Sequence, residues 1–506
     1  MSSRTDLPPS AAPLTFRGPA RAGAPPAIEV REVHRDEVAP QRVLEIERYD
    51  TADLRLAAAG ITLAVLRGDA PASWELRTPG DGGPLRVPVD VDAPRGRLPV
   101  PDGISDLVRG AARGRPLRPV GRVRTIRVVH RLLDASGARL ATVVHDRVTL
   151  STLGRSTEVK AWTEVTIDAP AALRGALADR ATAAGLRPAA PCGEAELARL
   201  LRPAPCGSRP KRKTAGGALV AYLAEQNGRL AAADLRVRRG EPDGVHRLRV
   251  AARRMRSALR GYRRLLDRAQ TDPLVAGLRA LSRELGPARD AEVQRERVLR
   301  ELAELPDELR LGAASAVATR YFARIESEAA AAALAVLDGP EYAQLRERLD
   351  RLVADPPLRG RAGRSAKKEL PRHVAEQERR FAARVAHALD AELSPERRAA
   401  ALHAARKAGK RLRYVAEVAR PAVGRPAKRH ARAVERIQQA IGEHQDTVVA
   451  RATLRSLGAL AHVENENGFV FGVLHGRAEA RAAAVEAQLP GLWTAASRSE
   501  LLRWLR

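Results

Sequence analysis

Two cysteines in 506 residues, Cys192 and Cys206, both in proline-rich text, are too few for a disulfide framework and lack paired metal-ligand spacing. Disulfide-stapled and zinc-held folds are therefore excluded. Aromatic residues make up only 3% of the chain, whereas single-strand nucleic-acid binders stack bases on Phe, Tyr and Trp. This weighs against base recognition. No uninterrupted apolar run reaches the 18 residues of a membrane span, and the opening MSSRTDLPPSAAPLTFRGPARAGAPP carries no apolar h-region. A cytoplasmic protein with no membrane partner is expected. Acidic residues are also short, 60 against 88 Lys and Arg, leaving a formal charge of +28. Such a surface seeks an anion, but charge alone does not choose among nucleic acid, an acidic membrane and a phosphate polymer.

The length exceeds what one core supports, since cores divide into domains of ~100–200 residues, so two or three domains are expected. The first 27 residues read as a disordered tail. From Ile28 to about Asp168, runs such as VRTIRVVHRLL, ARLATVVHDRVTL and KAWTEVTID alternate with Gly, Pro and Asp turn signals, the pattern of an antiparallel β domain. A helical stretch, APAALRGALADRATAAGL, carries that domain to residue 190. Residues 191–216 are rich in Pro, Gly and basic residues and read as a linker enclosing one short helix. Beyond Gly217, Ala, Leu, Arg and Glu dominate, and apolar residues recur at helical spacing to Arg506. The expected class is an α+β multidomain protein. DPPLRGRAGRSAKKEL, from Asp355, interrupts the helical text and divides it into halves.

Those halves carry an internal repeat. His246, Arg249, Arg253, Arg254 and Arg256 stand at offsets 0, +3, +7, +8 and +10, as do His403, Arg406, Lys410, Arg411 and Arg413. Leu285-Gly286-x-x-Arg289-Asp290 answers Ile441-Gly442-x-x-Gln445-Asp446, at histidine-to-aspartate separations of 44 and 43 residues. The duplication implies two similar helical bundles related by pseudo-symmetry, each burying its own apolar stripe.

At about 100° per residue, offsets 0, +3, +7 and +10 fall on one helix face, so the basic residues form a stripe. Leu248, Met255, Leu259 and Tyr262, and in the second copy Ala405, Leu412 and Ala416, form an apolar seam opposite. Arg260 and Lys407 add to the two sets. Like charges one turn apart repel by a few tenths of a kcal/mol per pair, approximately, so an anion should compensate. Asp290, Glu417 and Asp446 are internal candidates but are outnumbered. A single basic helix face is most often merely solvated; its retention in both copies favours a groove through which a linear polyanion threads, held by Arg forks and Lys point charges. No serine, cysteine or carboxylate cluster accompanies His246 and His403 at repeated positions, so phosphate contact or a hydrogen bond at the helix start is expected of them rather than catalysis. For Asp290 and Asp446, helix N-capping or an ion pair with a stripe arginine is expected.

VHRLRVAARRMRSALR, ELGPARDAEV, ALHAARKAGKRLRYVAE and IGEHQDTVVA resemble the CHAD family, the conserved-histidine α-helical domain, over residues 217–506. The resemblance implies two pseudo-symmetric four-helix bundles with a basic groove that binds inorganic polyphosphate, with association with polyphosphate granules as a further implication. Tyr49-Asp50-Thr51-x-Asp53-Leu54-Arg55-Leu56, Gly60-Ile61-Thr62-Leu63, Trp74-Glu75-Leu76-Arg77 and Trp162-x-Glu164-Val165 resemble the CYTH, or triphosphate-tunnel, family over residues 28–190. That resemblance implies a β tunnel in which carboxylates hold a divalent metal and basic residues a triphosphate.

The chain departs from the CYTH pattern. No Glu-x-Glu-x-Lys is correctly placed: Glu29-Val30-Arg31-Glu32 has the wrong spacing, and Glu45-Ile46-Glu47-Arg48-Tyr49 lies too close to Tyr49-Asp50-Thr51. Ala64-Val65-Leu66 replaces alternating arginines and leaves only Arg67, while Thr166 interrupts the late acidic strand. Arg67, Arg77, Arg124 and Arg127 remain as a tunnel anion-binding remnant, with Glu164 and Asp146 as weak metal candidates. The expectation is a degenerate, non-catalytic tunnel beside a polyphosphate-binding module, with no cofactor unless the tunnel works with a divalent metal. The competing readings are a metal-dependent triphosphatase or polyphosphate hydrolase, and a general nucleic-acid binder; missing carboxylates weigh against the first, scarce aromatics against the second.

Overall fold

A computed structural model describes residues 12–20, 30–79, 83–89, 98–154, 157–201, 210–211 and 213–505, in two compact units, Met1–Pro205 and Cys206–Arg506. The first is built on strands β1 (Leu14–Pro19), β2 (Arg35–Val38), β3 (Arg42–Asp50), β4 (Thr62–Arg67), β5 (Ser73–Arg77), β6 (Leu85–Pro88), β7 (Arg118–Leu133), β8 (Arg139–Thr152), β9 (Val159–Asp168) and β10 (Arg187–Pro188). They hydrogen-bond in the order β10-β1-β9-β8-β7-β3-β4-β5-β6, with β2 also on β7. Every pairing is antiparallel. The long central strands β7, β8 and β9 coincide with the β-branched runs, whose side chains pack well on a pleated surface.

Helices α1 (Arg55–Ala58), α2 (Asp102–Ala112), α3 (Ala171–Ala183) and α4 (Gly193–Leu200) complete this unit. Strand register places α2 and α3 on one face of the sheet, where Ile104 and Val108 meet Leu63 and Trp74, and Leu173 and Leu177 meet Phe16 and Val165. Leu197 of α4 packs on the other face, against Val123, Val148 and Trp162. The short helix inside the 191–216 segment is thus part of the sheet's packing. One expectation is corrected: Leu14–Pro19, assigned to a disordered tail, is a strand. Pairing with β9 and burial of Phe16 outweigh the flanking prolines. Residues 1–11 and 21–27 of that tail lie outside the described residues.

The second unit holds α5 (Ala215–Arg238), α6 (Gly244–Gly261), α7 (Arg268–Glu284), α8 (Gly286–Ala303), α9 (Ala314–Asp338) and α10 (Pro340–Ala354), then α11 (Ala366–Ala388), α12 (Pro395–Val423), α13 (Arg425–Val463), α14 (Phe469–Ala496) and α15 (Ser499–Leu502). The duplication is visible in the pairs α5/α11, α6/α12, α7–α8/α13 and α9/α14. Side-chain caps mark several starts: Thr214 accepts from Gly217 N at 3.1 Å and Asp267 from Ala269 N at 3.0 Å. None of the helices among the described residues is long and apolar enough to cross a membrane.

The seam residues Leu248, Met255, Leu259, Tyr262, Ala405, Leu412 and Ala416 are all buried. They do not form two separate cores, however. One core runs through both copies, from Leu219 and Leu248 to Leu412 and Ile437, while a smaller one joins the α8–α9 and α13–α14 ends through Val317, Phe322, Leu457 and Phe471. The cause is the close crossing of α6 and α12. A Cβ on Gly261 would lie 2.3 Å from Val415 Cγ2, and the Tyr262 hydroxyl donates to the Val415 carbonyl at 2.7 Å. The two repeats share their interior at this crossing.

Candidate anion site at the crossing of the repeated helices

The crossing brings parts of the two basic stripes together. Among the charged groups around Lys410, Arg253 of the other copy depresses its pKa most, and Arg411 is likewise depressed by Arg260, Arg380 and Arg256. Burial is the larger cause in both cases; burial, then Arg253 and Arg406, bring Lys410 from 10.5 to about 7. For a lysine held so low, the pull of Asp446 does not offset burial and the neighbouring arginines. Arg256 is also depressed, by burial first and then by Arg253, Arg260 and Arg279. Arg279 was not singled out in the sequence, because the repeat carries Glu435 at the matching place.

Arg249 and Arg406 flank this cluster in equivalent settings. Arg249 donates to the Leu285 carbonyl at 2.8 Å and lies 4.0 Å from Asp290; Arg406 lies 3.8 Å from Asp446. The repeated glycines seat these side chains. A Cβ on Gly286 would come 3.4 Å from Arg249 Nη1, and one on Gly442 3.2 Å from Arg406 Nε. Both aspartates therefore serve as ion-pair partners, and N-capping does not occur: α8 is preceded by Leu285, and Asp446 lies inside the continuous 39-residue α13, where Gly442 makes no turn.

Arg254 and Arg413 are engaged elsewhere. Arg254 Nε is 3.1 Å from Glu417, which also accepts from the Tyr222 hydroxyl at 2.8 Å, and Arg413 is 2.6 Å from Glu435. Both guanidinium groups sit over the buried Tyr414 ring, at 5.6 and 5.1 Å from its centroid. Among the described residues, by contrast, no carboxylate lies in ion-pair reach of Arg253, Arg256, Arg260, Arg279, Lys407, Lys410 or Arg411, and the buried Nε atoms of Arg253 and Arg406 have no hydrogen-bond acceptor.

Burial, then Arg289, holds His246 below its ordinary value; burial, then Lys407, does the same for His403. Both rings are therefore neutral at pH 7. His246 sits in the first turn of α6, next after Val245, while His403 lies two turns into α12 with Nδ1 3.1 Å from Gln445 Oε1. A nearby cavity of about 440 Å³ is lined by Arg297, Arg406, Arg481 and Asp446. Its cations are already paired, Arg297 with Glu301 at 3.0 Å and Arg481 with Glu301 at 2.6 Å.

In the sheet unit the expected tunnel residues fall into separate groups, Arg127 with Asp146 and Glu164 on neighbouring strands and Arg67 with Arg124 on either side of Glu45. Strand register places Arg67 and Arg124 on one face and Arg77 and Arg127 on the other. Arg77 is 2.6 Å from Glu75, Arg124 is 3.8 Å from Glu45, and Arg127 makes two hydrogen bonds to Asp146, at 2.8 and 2.7 Å. Glu164, opposite Asp146 on the neighbouring strand, takes Arg17 at 3.3 Å and the Cys192 amide at 3.0 Å. No group of three or more His, Cys, Asp or Glu among the described residues is placed to hold a metal ion. Asp50 of the Tyr-Asp-Thr motif accepts the amides of Thr51, Leu56 and Ala57, closing the turn into α1.

Fold and site together define a duplicated helical-bundle protein with an unneutralised cationic cluster where its repeated helices cross. Residues 221–455 match the CHAD domain, so the helical unit carries a CHAD domain. Two Mycobacterium tuberculosis relatives, uncharacterized protein MT2285 (strain CDC 1551 / Oshkosh) and uncharacterized protein Rv2226 (strain ATCC 25618 / H37Rv), are each 31% identical over 476 residues, covering 89% of this chain and 89% of the relative. Among solved structures, PptA from Streptomyces chartreusis is 22% identical with a TM-score of 0.44, over 56% of this chain and 99% of that one. The CHAD domain from the plant Ricinus communis is 22% identical with a TM-score of 0.42, over 57% and 98%.

Proposed function

We propose that the helical unit binds inorganic polyphosphate in the cytoplasm, through the cations gathered where α6 and α12 cross, and that this binding also associates the protein with polyphosphate granules. The carrying observation is the half-buried juxtaposition of Arg253 and Lys410, one from each repeat, with Asp446 nearby but no carboxylate in ion-pair contact with either among the described residues. Like charges held so close need an anion, and a chain of phosphates supplies closely spaced oxygens that match guanidinium forks. Tyr262 and Tyr414 are buried, so neither offers a base-stacking platform beside the cluster. Titration of the full chain with long-chain polyphosphate and with duplex DNA, at equal phosphate and ~150 mM salt, tests the reading, because low salt makes every polyanion bind. Polyphosphate should bind markedly tighter. Equal affinity for DNA would replace this reading with general polyanion binding.

The sheet unit, in this proposal, retains CYTH-like strand motifs without catalysis and without a bound metal. The support is the capture of Asp146 by Arg127 and of Glu164 by Arg17, together with the division of the four arginines between two faces. Phosphate release from tripolyphosphate or ATP, with magnesium or manganese, should not exceed that of buffer. Turnover lost in Glu164→Ala would establish a triphosphatase instead.

A further inference from the structure

The repeat makes the two sides of the crossing comparable residue by residue, and they differ in sign of charge. Fourteen residues after its histidine, the first copy has Arg260 and the second Glu417; eleven residues before the repeated aspartate, the first has Arg279 and the second Glu435. Arg254 is ion-paired with Glu417, whereas its counterpart Arg411 has no carboxylate in ion-pair reach among the described residues and feels the charge of Arg260; Arg413 is ion-paired with Glu435, whereas its counterpart Arg256 has none and feels the charge of Arg279. One side thus carries four positive charges, and the other two positive and two negative.

We propose that Arg256, Arg260, Arg279 and Arg411 form a one-sided extension of the phosphate site, so that a linear polyanion held at Arg253 and Lys410 runs out over this side only. The inference rests on the polyphosphate reading and adds a direction to it. A solvated basic patch is the alternative, but Arg256 and Arg411 are half-buried, so each side chain gives up part of its contact with water. Their depressed pKa values agree with that cost. Arg253 lies beside Arg256, so the extension is continuous with the centre. From Arg253 to Arg260 the helix rises about 10 Å, at about 1.5 Å per residue, which is room for further phosphates of one chain. On the opposite side, the carboxylates of Glu417 and Glu435 would repel the same chain and already satisfy its would-be binders.

The test installs the second repeat's residues in the first. Arg260→Glu with Arg279→Glu should close ion pairs to Arg411 and Arg256, and should leave the full chain at least as stable in thermal melts. Long-chain polyphosphate affinity at ~150 mM salt should fall about thirtyfold, tripolyphosphate affinity only about threefold, and the long-chain salt slope by about three units. Arg260→Gln with Arg279→Gln should give an intermediate loss, which keeps the test decisive if the glutamate pair disturbs folding. Conversely, Glu435→Arg should raise long-chain affinity. Long-chain binding unchanged in the double variants, or both chain lengths falling equally, would overturn the extension while leaving the central site standing. Absence of binding by the unaltered chain to either probe would overturn the functional reading, and the extension with it.

Discussion

Replacing Arg253 and Lys410 together by alanine is expected to weaken long-chain polyphosphate binding about a hundredfold at ~150 mM salt, since each charge-assisted contact contributes about 1.5–3 kcal/mol. The paired substitution Arg249→Ala with Arg406→Ala should cost less, about tenfold, because Asp290 and Asp446 already share those guanidinium groups at 4.0 and 3.8 Å. All four together should reduce the salt slope by about four units. Arg253 and Lys410 come from different repeats yet are electrostatic neighbours, so their single effects should not add: the second removal costs less once the first has broken the composite site. For the same reason short chains, which need not span far to touch both, should lose affinity too. Thermal melts should show no loss of stability for the Arg253 and Lys410 pair, since repulsion is relieved and alanine favours helix, whereas the Arg249 and Arg406 pair should melt somewhat lower because it gives up the bond to Leu285 and the contacts with Asp290 and Asp446. If all these variants are folded and bind like the parent, the stripes are solvated faces and the site lies elsewhere.

The helical half was legible because two signals agreed: the period of its apolar residues and the recurrence of basic residues at equal offsets. That agreement located the seam of Leu248, Met255, Leu412 and Ala416 in the core. It could not reveal that both copies bury their seams in one interior, because this depends on the close approach of Gly261 to Val415. A chain-distant contact of that kind leaves no periodic trace. Within the site, equal offsets grouped Arg254 and Arg413 with the other cations, although Glu417 and Glu435 hold them in ion pairs. Conversely, Arg279 escaped notice because it breaks the repeat, and breaking the repeat is what leaves its surroundings positive. In the sheet unit, β-branched runs marked the long strands, whereas Leu14–Pro19 is too short and too flanked by proline to be read as one. The pairing of Arg127 with Asp146 is cross-strand, so it follows from register and not from spacing along the chain.

Lys410 should couple polyphosphate binding to proton uptake. In the unliganded protein its pKa is about 7, and the groups around it are Arg253 on α6, Arg406 and Arg413 on α12, and Asp446 on α13. A bound phosphate raises that pKa, so the complex holds a proton that the free protein has lost above pH 7. Affinity should therefore be level below about pH 7 and fall about tenfold per unit above it, until the raised pKa is reached. Burial, then Arg289 for His246 and Lys407 for His403, holds both imidazoles below their ordinary value, so Lys410→Met is the variant that separates the lysine's share of the slope from theirs. Calorimetric titrations at pH 8 in buffers of different ionisation enthalpy should register uptake of about one proton per site through this linkage. Lys410→Met should abolish both the uptake and the slope. Stability runs in the opposite sense. Because the folded pKa lies below the unfolded value of 10.5, the unfolded chain binds more protons between pH 7 and 10.5, and the unliganded protein gains stability as pH rises through that window. Lys410→Met should remove that gain and be more stable than the parent by roughly 4 kcal/mol at pH 7, the difference shrinking by about 1.4 kcal/mol per pH unit toward pH 10. Denaturation at pH 7 and pH 9 measures it. A parent whose affinity is constant from pH 7 to 9, or a Lys410→Met variant that keeps the slope, would place the charged lysine outside the binding event.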